Sequence, residues 1–160
     1  NKNMILYHAS NIEIVSPDVI HSRSKVDFGA GFYTTPYYEM SKSWGERFKM
    51  QKKNAVISKY ELNPSMYEEC YILRFESYNE AWLDFIISCR NGKKADTYDV
   101  IEGGVANDRV FNTIELFLSN LIDKLEVMKR LKYEKPNWQI CFKKQHVIDK
   151  YITFIGSEKI

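Results

Sequence analysis

The chain has 160 residues, 44% hydrophobic and 28% charged, a balance that fits one folded domain over 1–160 and excludes a disordered chain. Its 23 basic and 21 acidic side chains leave a net charge of +2, which excludes a strong general pull toward nucleic acid or anionic membrane. No apolar run approaches the roughly 20 residues of a membrane helix, and Cys70, Cys89 and Cys141 are scattered and odd in number, so reduced thiols, a cytoplasmic location and no metal site are expected.

The first strand signal is Met4–His8, which ends on a histidine followed by Ala9-Ser10. A polar loop, Ile20-His21-Ser22-Arg23-Ser24, leads on to Asp27-Phe28-Gly29-Ala30-Gly31, whose glycines suit a tight turn. A short strand at Phe32–Thr35 then runs into a helix from Pro36 to about Lys52. Thr35 can cap that helix, Pro36 suits its first position, and Tyr37, Met40, Trp44 and Phe48 form one apolar stripe. Strand signals recur at Ala55–Leu62 and Cys70–Phe75. A second helix is predicted from Tyr78 to Arg90. Ser77 and Glu80 form its capping box, Trp82, Phe85, Ile86 and Cys89 its buried face, and Gly92 sits past its end. The strand Tyr98–Glu102 is followed by Gly103-Gly104, which lacks the spacing of a dinucleotide fingerprint. Thr113 to Leu131 reads as helix broken near Ile122, with Asp123 and Glu126 as a second capping box. Strands at Trp138–Phe142 and Tyr151–Ile155 complete the chain. Seven strands without regular helix alternation argue for an α+β fold.

His8, Tyr33 and Trp44 are each ordinary taken singly: a strand-end histidine, a strand tyrosine and a core tryptophan. Their order and spacing are more specific. A histidine at one strand end, and a tyrosine on the next strand running into a helix, make a polar and aromatic cleft suited to a flat heteroaromatic ring on a sugar. His8-Ala9-Ser10, then Gly29-Ala30-Gly31-Phe32-Tyr33-Thr34-Thr35, then Ser41 and Trp44 resemble the ADP-ribosyltransferase superfamily, in its diphtheria-toxin and poly(ADP-ribose) polymerase branch. The chain also looks like a bacterial family of that superfamily, domain of unknown function 3990, over nearly its whole length. The likeness includes Tyr98–Phe111 and the segment from Tyr133 to Phe142.

The resemblance implies a split two-sheet core with peripheral helices and a site for NAD as co-substrate. Tyr33 and Trp44 would stack on the nicotinamide, an arrangement contributing about 1 kcal/mol beyond area burial. The main chain of Ala9 would bond the carboxamide and Ser41 would add a third contact, with Ser10 and Thr34 also lining the cofactor. His8 would bond a ribose hydroxyl. The third catalytic position, a glutamate in most of the superfamily, falls on Gln139. Glutamine keeps hydrogen-bonding reach but lacks the charge, which favours transfer of one ADP-ribose over polymer synthesis. Glu115, Glu102 and Asp108 are the rival carboxylates, and the loop around His21 is a candidate cover for the site.

The resemblance thus implies a mono-ADP-ribosyltransferase acting on a protein or nucleic-acid acceptor. By analogy it is a bacterial toxin restrained by an antitoxin protein. Two alternatives remain. One is a weak or inactive module that binds NAD or ADP-ribose, and the other is an NAD glycohydrolase.

Overall fold

The computed structural model describes residues 3–20, 27–95, 97–134 and 137–160. Alternating burial sets the first sheet. In β1 (Met4–Ser10) Leu6 turns inward, and in β3 (Val56–Leu62) Ser58, Tyr60 and Leu62 are buried, the two-residue period of a strand with one face in the core; Ile57, of the opposite phase, is buried as well. β1 and β7 (Ile152–Lys159) both run antiparallel to β3, giving the order β1-β3-β7. The second sheet has the order β2-β6-β5-β4, from β2 (Phe32–Thr34), β6 (Gln139–Phe142), β5 (Val100–Gly103) and β4 (Ile72–Arg74). β2 and β5 are antiparallel to β6, whereas β4 and β5 are parallel. The parallel pair needs a crossover, and α3 (Glu80–Arg90) supplies it. β5 and β6 are buried at every position, as strands covered on both faces must be.

Two apolar clusters fill the spaces that result. One takes Leu6, Tyr60 and Leu62 from the first sheet and Phe32, Val100, Ile140 and Phe142 from the second, and so lies between the sheets. The other takes Phe28, Ile101 and Cys141 together with Trp82 and Ile86 of α3, Val110 and Ile114 of α4 (Asp108–Leu118), and Val127 and Leu131 of α5 (Lys124–Leu131). α1 (Tyr38–Met50) lies against the first sheet, where the ring of Tyr38 meets that of Tyr7 edge-on at 5.5 Å. The two sheets meet at one bridge, where Tyr7 and Thr35 exchange main-chain hydrogen bonds of 2.9 and 3.0 Å.

All seven expected strands are present, with ends shifted by at most four residues. α1 starts later than expected. Thr35 has both main-chain groups bound to Tyr7, so the chain is still extended there; its hydroxyl accepts from the Tyr37 N–H at 3.1 Å, but Tyr37 is the N-cap. The buried face of α1 also differs from the apolar stripe, for it is Ser41 and Gly45 that are buried. The helix lies so near the sheet that a Cβ on Gly45 would stand 2.7 Å from Cδ1 of Ile160. Large side chains are thereby pushed to its flanks. In α3 the cap is Asn79, which accepts from the Trp82 N–H at 2.8 Å, and not Ser77. Asp123 caps α5 as expected, and Asn107 caps α4, which begins five residues before the predicted helix. α2 (Met66–Glu69) and α6 (Gln145–Tyr151) had no strong sequence signal. No helix among the described residues is long and apolar enough to cross a membrane.

Candidate functional site

The bridge between Tyr7 and Thr35 organises the site. Tyr7 directs its N–H and C=O to β2. Main-chain groups alternate sides along a strand, so Ala9, two residues on, turns its N–H and C=O the same way. Past the bridge β2 leaves β1, and Ala9 and Ser10 lie half-buried at the end of β1. The Ser10 hydroxyl donates to Oδ1 of Asn11 at 3.3 Å.

His8 spans the seam. Its Nδ1 lies 2.6 Å from the Tyr33 carbonyl oxygen. A carbonyl only accepts, so Nδ1 carries the proton and Nε2 holds the lone pair in the neutral ring. The imidazole stacks on Phe32, with centroids 4.4 Å apart and planes 29° from parallel. Burial pulls its pKa below the ordinary 6.5, and the bond to Tyr33 offsets part of that. His8 is therefore a neutral acceptor at pH 7.

His8 meets Tyr33 through its main chain. The phenol ring packs with Phe28, Phe75 and their neighbours on the side of β2 away from Phe32. Its hydroxyl accepts from the Phe28 N–H at 2.9 Å and donates to the Gly29 carbonyl. Burial, foremost, raises the phenol pKa well above its usual value. The hydroxyl thus ties down the glycine loop, and the half-buried ring is what remains for a ligand. The Lys143 ammonium adds bonds to the carbonyls of Phe28 and Ala30. Gly31 is required where it is, because a Cβ there would come within 2.4 Å of the Cys141 sulfur.

Ser41 is fully buried on α1, and its Oγ has no hydrogen-bond partner among the described residues. Trp44, three residues on and on the same helix face, is half-buried and belongs to neither core cluster. Thr34 does not join them. It is fully buried, and its hydroxyl donates to the Ile140 carbonyl at 2.9 Å, fastening β2 to β6.

Gln139 opens β6 and is 3% exposed. Register places it on the same face as Cys141 and Tyr33, which pair across the two strands. Its Nε2 donates to Oδ2 of Asp27 at 3.0 Å and to the Gly104 carbonyl at 3.4 Å. Asp27, 8% exposed, also accepts from Arg90 at 2.7 Å and from the Ala106 N–H at 2.8 Å. Sequence reasoning passed over Asp27, although it heads the glycine loop. Its partners lie 63, 79 and 112 residues away, and no local spacing signals them.

The rival carboxylates stand elsewhere. Glu102 is fully buried and binds Arg74 at 2.7 Å and the Tyr67 hydroxyl at 2.8 Å. Burial is the largest influence on it and raises its pKa, against the pull of those partners. Glu115 is exposed on α4. Asp108 is exposed in the first turn of α4, 3.4 Å from Arg47, and not in a loop. His21 and its neighbours through Ser24 lie outside the described residues. A concavity of about 380 Å³ between α4 and α5, lined by Arg109, Asn112, Thr113, Arg130, Tyr133 and Glu134, shares no residue with this site. Among the described residues no cluster of His, Cys, Asp or Glu is arranged to hold a metal, and the three cysteines are free thiols.

A comparison with curated proteins finds no match. The family described as "Protein of unknown function (DUF3990)" matches residues 4–154. The chain, a mixed α and β protein with two sheets and six helices among its described residues, belongs to the DUF3990 family.

Proposed function

We propose that the protein is an NAD-dependent mono-ADP-ribosyltransferase, with the β1–β2 seam as its site. The observation that carries this reading is the Ser41 hydroxyl, fully buried and without a partner among the described residues. An unsatisfied buried hydroxyl costs about 1–3 kcal/mol, and a carboxamide reaching Ser41 and the main chain of Ala9 would satisfy it. The half-buried rings of Trp44 and Tyr33 suit the two faces of a pyridine amide. His8, neutral and with Nε2 as acceptor, suits a ribose hydroxyl. Bound NAD supplies the glycosidic bond to be broken, and these side chains bind and orient it. Most of the rate would come from positioning and charge stabilisation.

The acceptor on this reading is a protein or a nucleic acid. A toxin role with a neutralising antitoxin rests on the sequence resemblance alone. One observation favours a second reading: the Gln139 amide is committed to Asp27, and no carboxylate stands in its place, as in a module that binds NAD without turning it over. The test is incubation with NAD labelled in the adenylate and, separately, in the nicotinamide, with protein and nucleic-acid acceptors present or absent. Nicotinamide release with label on an acceptor supports the transferase. Release without adduct makes the protein a glycohydrolase, and binding without release makes it a module. Absence of binding removes the reading altogether.

A further inference from the structure

We propose that Asp27 is a positioning residue for Gln139, holding its amide so that the oxygen Oε1 is the end offered to substrate. The inference rests on the transferase reading and deepens it. Both groups facing Nε2, the Asp27 carboxylate at 3.0 Å and the Gly104 carbonyl at 3.4 Å, are acceptors only. The amide can therefore sit in one orientation, with NH₂ toward Asp27 and the carbonyl away from it.

Asp27 is itself locked. Oδ1 takes the Arg90 guanidinium, and Oδ2 takes the Ala106 N–H as well as Gln139. These donors come from α3, the segment before α4, and β6, so the carboxylate cannot rotate without breaking bonds to separate elements. Arg90 is held in turn over the ring of Phe111 at 4.2 Å. Tyr33, Tyr78, Cys89 and Cys141 lie in electrostatic reach of Asp27. All four are uncharged near neutral pH, for burial raises each of them, Cys141 to about 12.

The arrangement explains why position 139 carries an amide. A glutamate would set a second carboxylate within about hydrogen-bond distance of Oδ2 of Asp27, while the Arg90 guanidinium sits on the other oxygen, Oδ1, and like charges that close cannot both stay ionised. Asp27 thus selects a neutral side chain on the neighbouring strand and leaves its oxygen as the acceptor. On the transferase reading, that oxygen takes the ribose hydroxyl.

The test is a reciprocal exchange. Asp27→Asn and Gln139→Glu are each expected to lower kcat for NAD cleavage roughly tenfold to hundredfold, with a smaller change in KM. The double variant Asp27→Asn/Gln139→Glu restores an amide–carboxylate pair but turns the NH₂ of the new amide at position 27 toward the Ala106 N–H, so a partial recovery of that loss is expected. Full activity in Gln139→Glu alone, or additive losses in the double variant, would overturn the inference. A second measurement does not depend on turnover. The side-chain NH₂ of Gln139 should give a shifted, exchange-protected ¹⁵N–¹H signal that loses its protection in Asp27→Asn while backbone signals of the core persist. An unchanged signal sinks the pairing. Should Asp27→Asn fail to fold, Gln139→Glu is read by carboxyl ¹³C shifts: a raised titration at position 139 supports the pairing, and an ordinary one overturns it. A wild-type chain that cleaves no NAD defeats the transferase reading, while the resonance still decides whether Asp27 orients the amide.

Discussion

Nδ1 of His8 donates to the carbonyl oxygen of Tyr33 at 2.6 Å, joining the end of one sheet to the edge of the other. This bond fixes the tautomer and leaves Nε2 to accept. His8→Ala is expected to lower NAD turnover about 100-fold or more while the fold persists, which initial rates and circular dichroism would check. Normal turnover would remove His8 from the site.

The same ring gives a pH dependence. Because the folded-state pKa of His8 lies below 6.5, the unfolded chain takes up the proton first as pH falls. This contribution to stability is therefore fully present above 6.5 and is lost as pH falls through the lowered folded value. NAD affinity is expected to weaken over the same acid range, since a protonated Nε2 cannot accept. Urea titrations between neutral pH and mild acid, on the wild type and His8→Ala, isolate the effect: the variant should have a shallower slope.

Ser41→Ala separates stability from binding. Removing a buried hydroxyl that lacks a partner among the described residues is expected to leave Tm unchanged or raise it, and to weaken NAD binding by about 1 kcal/mol, the worth of one hydrogen bond. Calorimetry and a thermal melt on the same sample measure both. A fall in Tm with unaltered affinity would mean that the hydroxyl serves the fold.

Trp44→Ala is expected to change stability by less than about 1 kcal/mol, because the ring is half-buried and outside both core clusters. NAD binding should weaken by about 1 kcal/mol through lost stacking. Intrinsic fluorescence gives an independent measure: quenching on adding NAD should disappear in the variant. Quenching that survives would point to Trp138 or Trp82.

Tyr33→Phe removes the hydroxyl that bridges the Phe28 N–H and the Gly29 carbonyl. It leaves a buried N–H unsatisfied, so a loss of about 1–3 kcal/mol in stability is expected. The ring is retained, so NAD affinity should change far less than in Tyr33→Ala. Equal losses of affinity would assign the ligand contact to the hydroxyl.

What the sequence disclosed was local, and what it hid was tertiary. Strand alternation and the Asp123 cap act over a few residues, and both were legible. Tyr33, Ser41 and Trp44 fall within one strand–helix unit, so their grouping could be read from spacing. The buried face of α1 could not, because Ser41 and Gly45 face inward and Gly45 packs against Ile160, 115 residues away in sequence. The choice of Asn79 over Ser77 as a cap depends on where Trp82 is buried. The bond of the Thr34 hydroxyl to the Ile140 carbonyl spans 106 residues, and no local spacing signals it. Asp27 stood in plain sight, but its meaning lies in Arg90, Ala106 and Gln139, which the fold alone brings near.

Two main-chain hydrogen bonds, between Tyr7 and Thr35, form the β-bridge where the sheets meet. Such a weld is narrow compared with the seven-residue ladder joining β1 to β3. It makes a natural crease, and the imidazole of His8 crosses it one residue further along. Any flexing of one half of the molecule against the other would register first as a lengthening of that imidazole–carbonyl contact, so the seam's one ring-to-carbonyl bond and the mechanics of the crease share a single side chain.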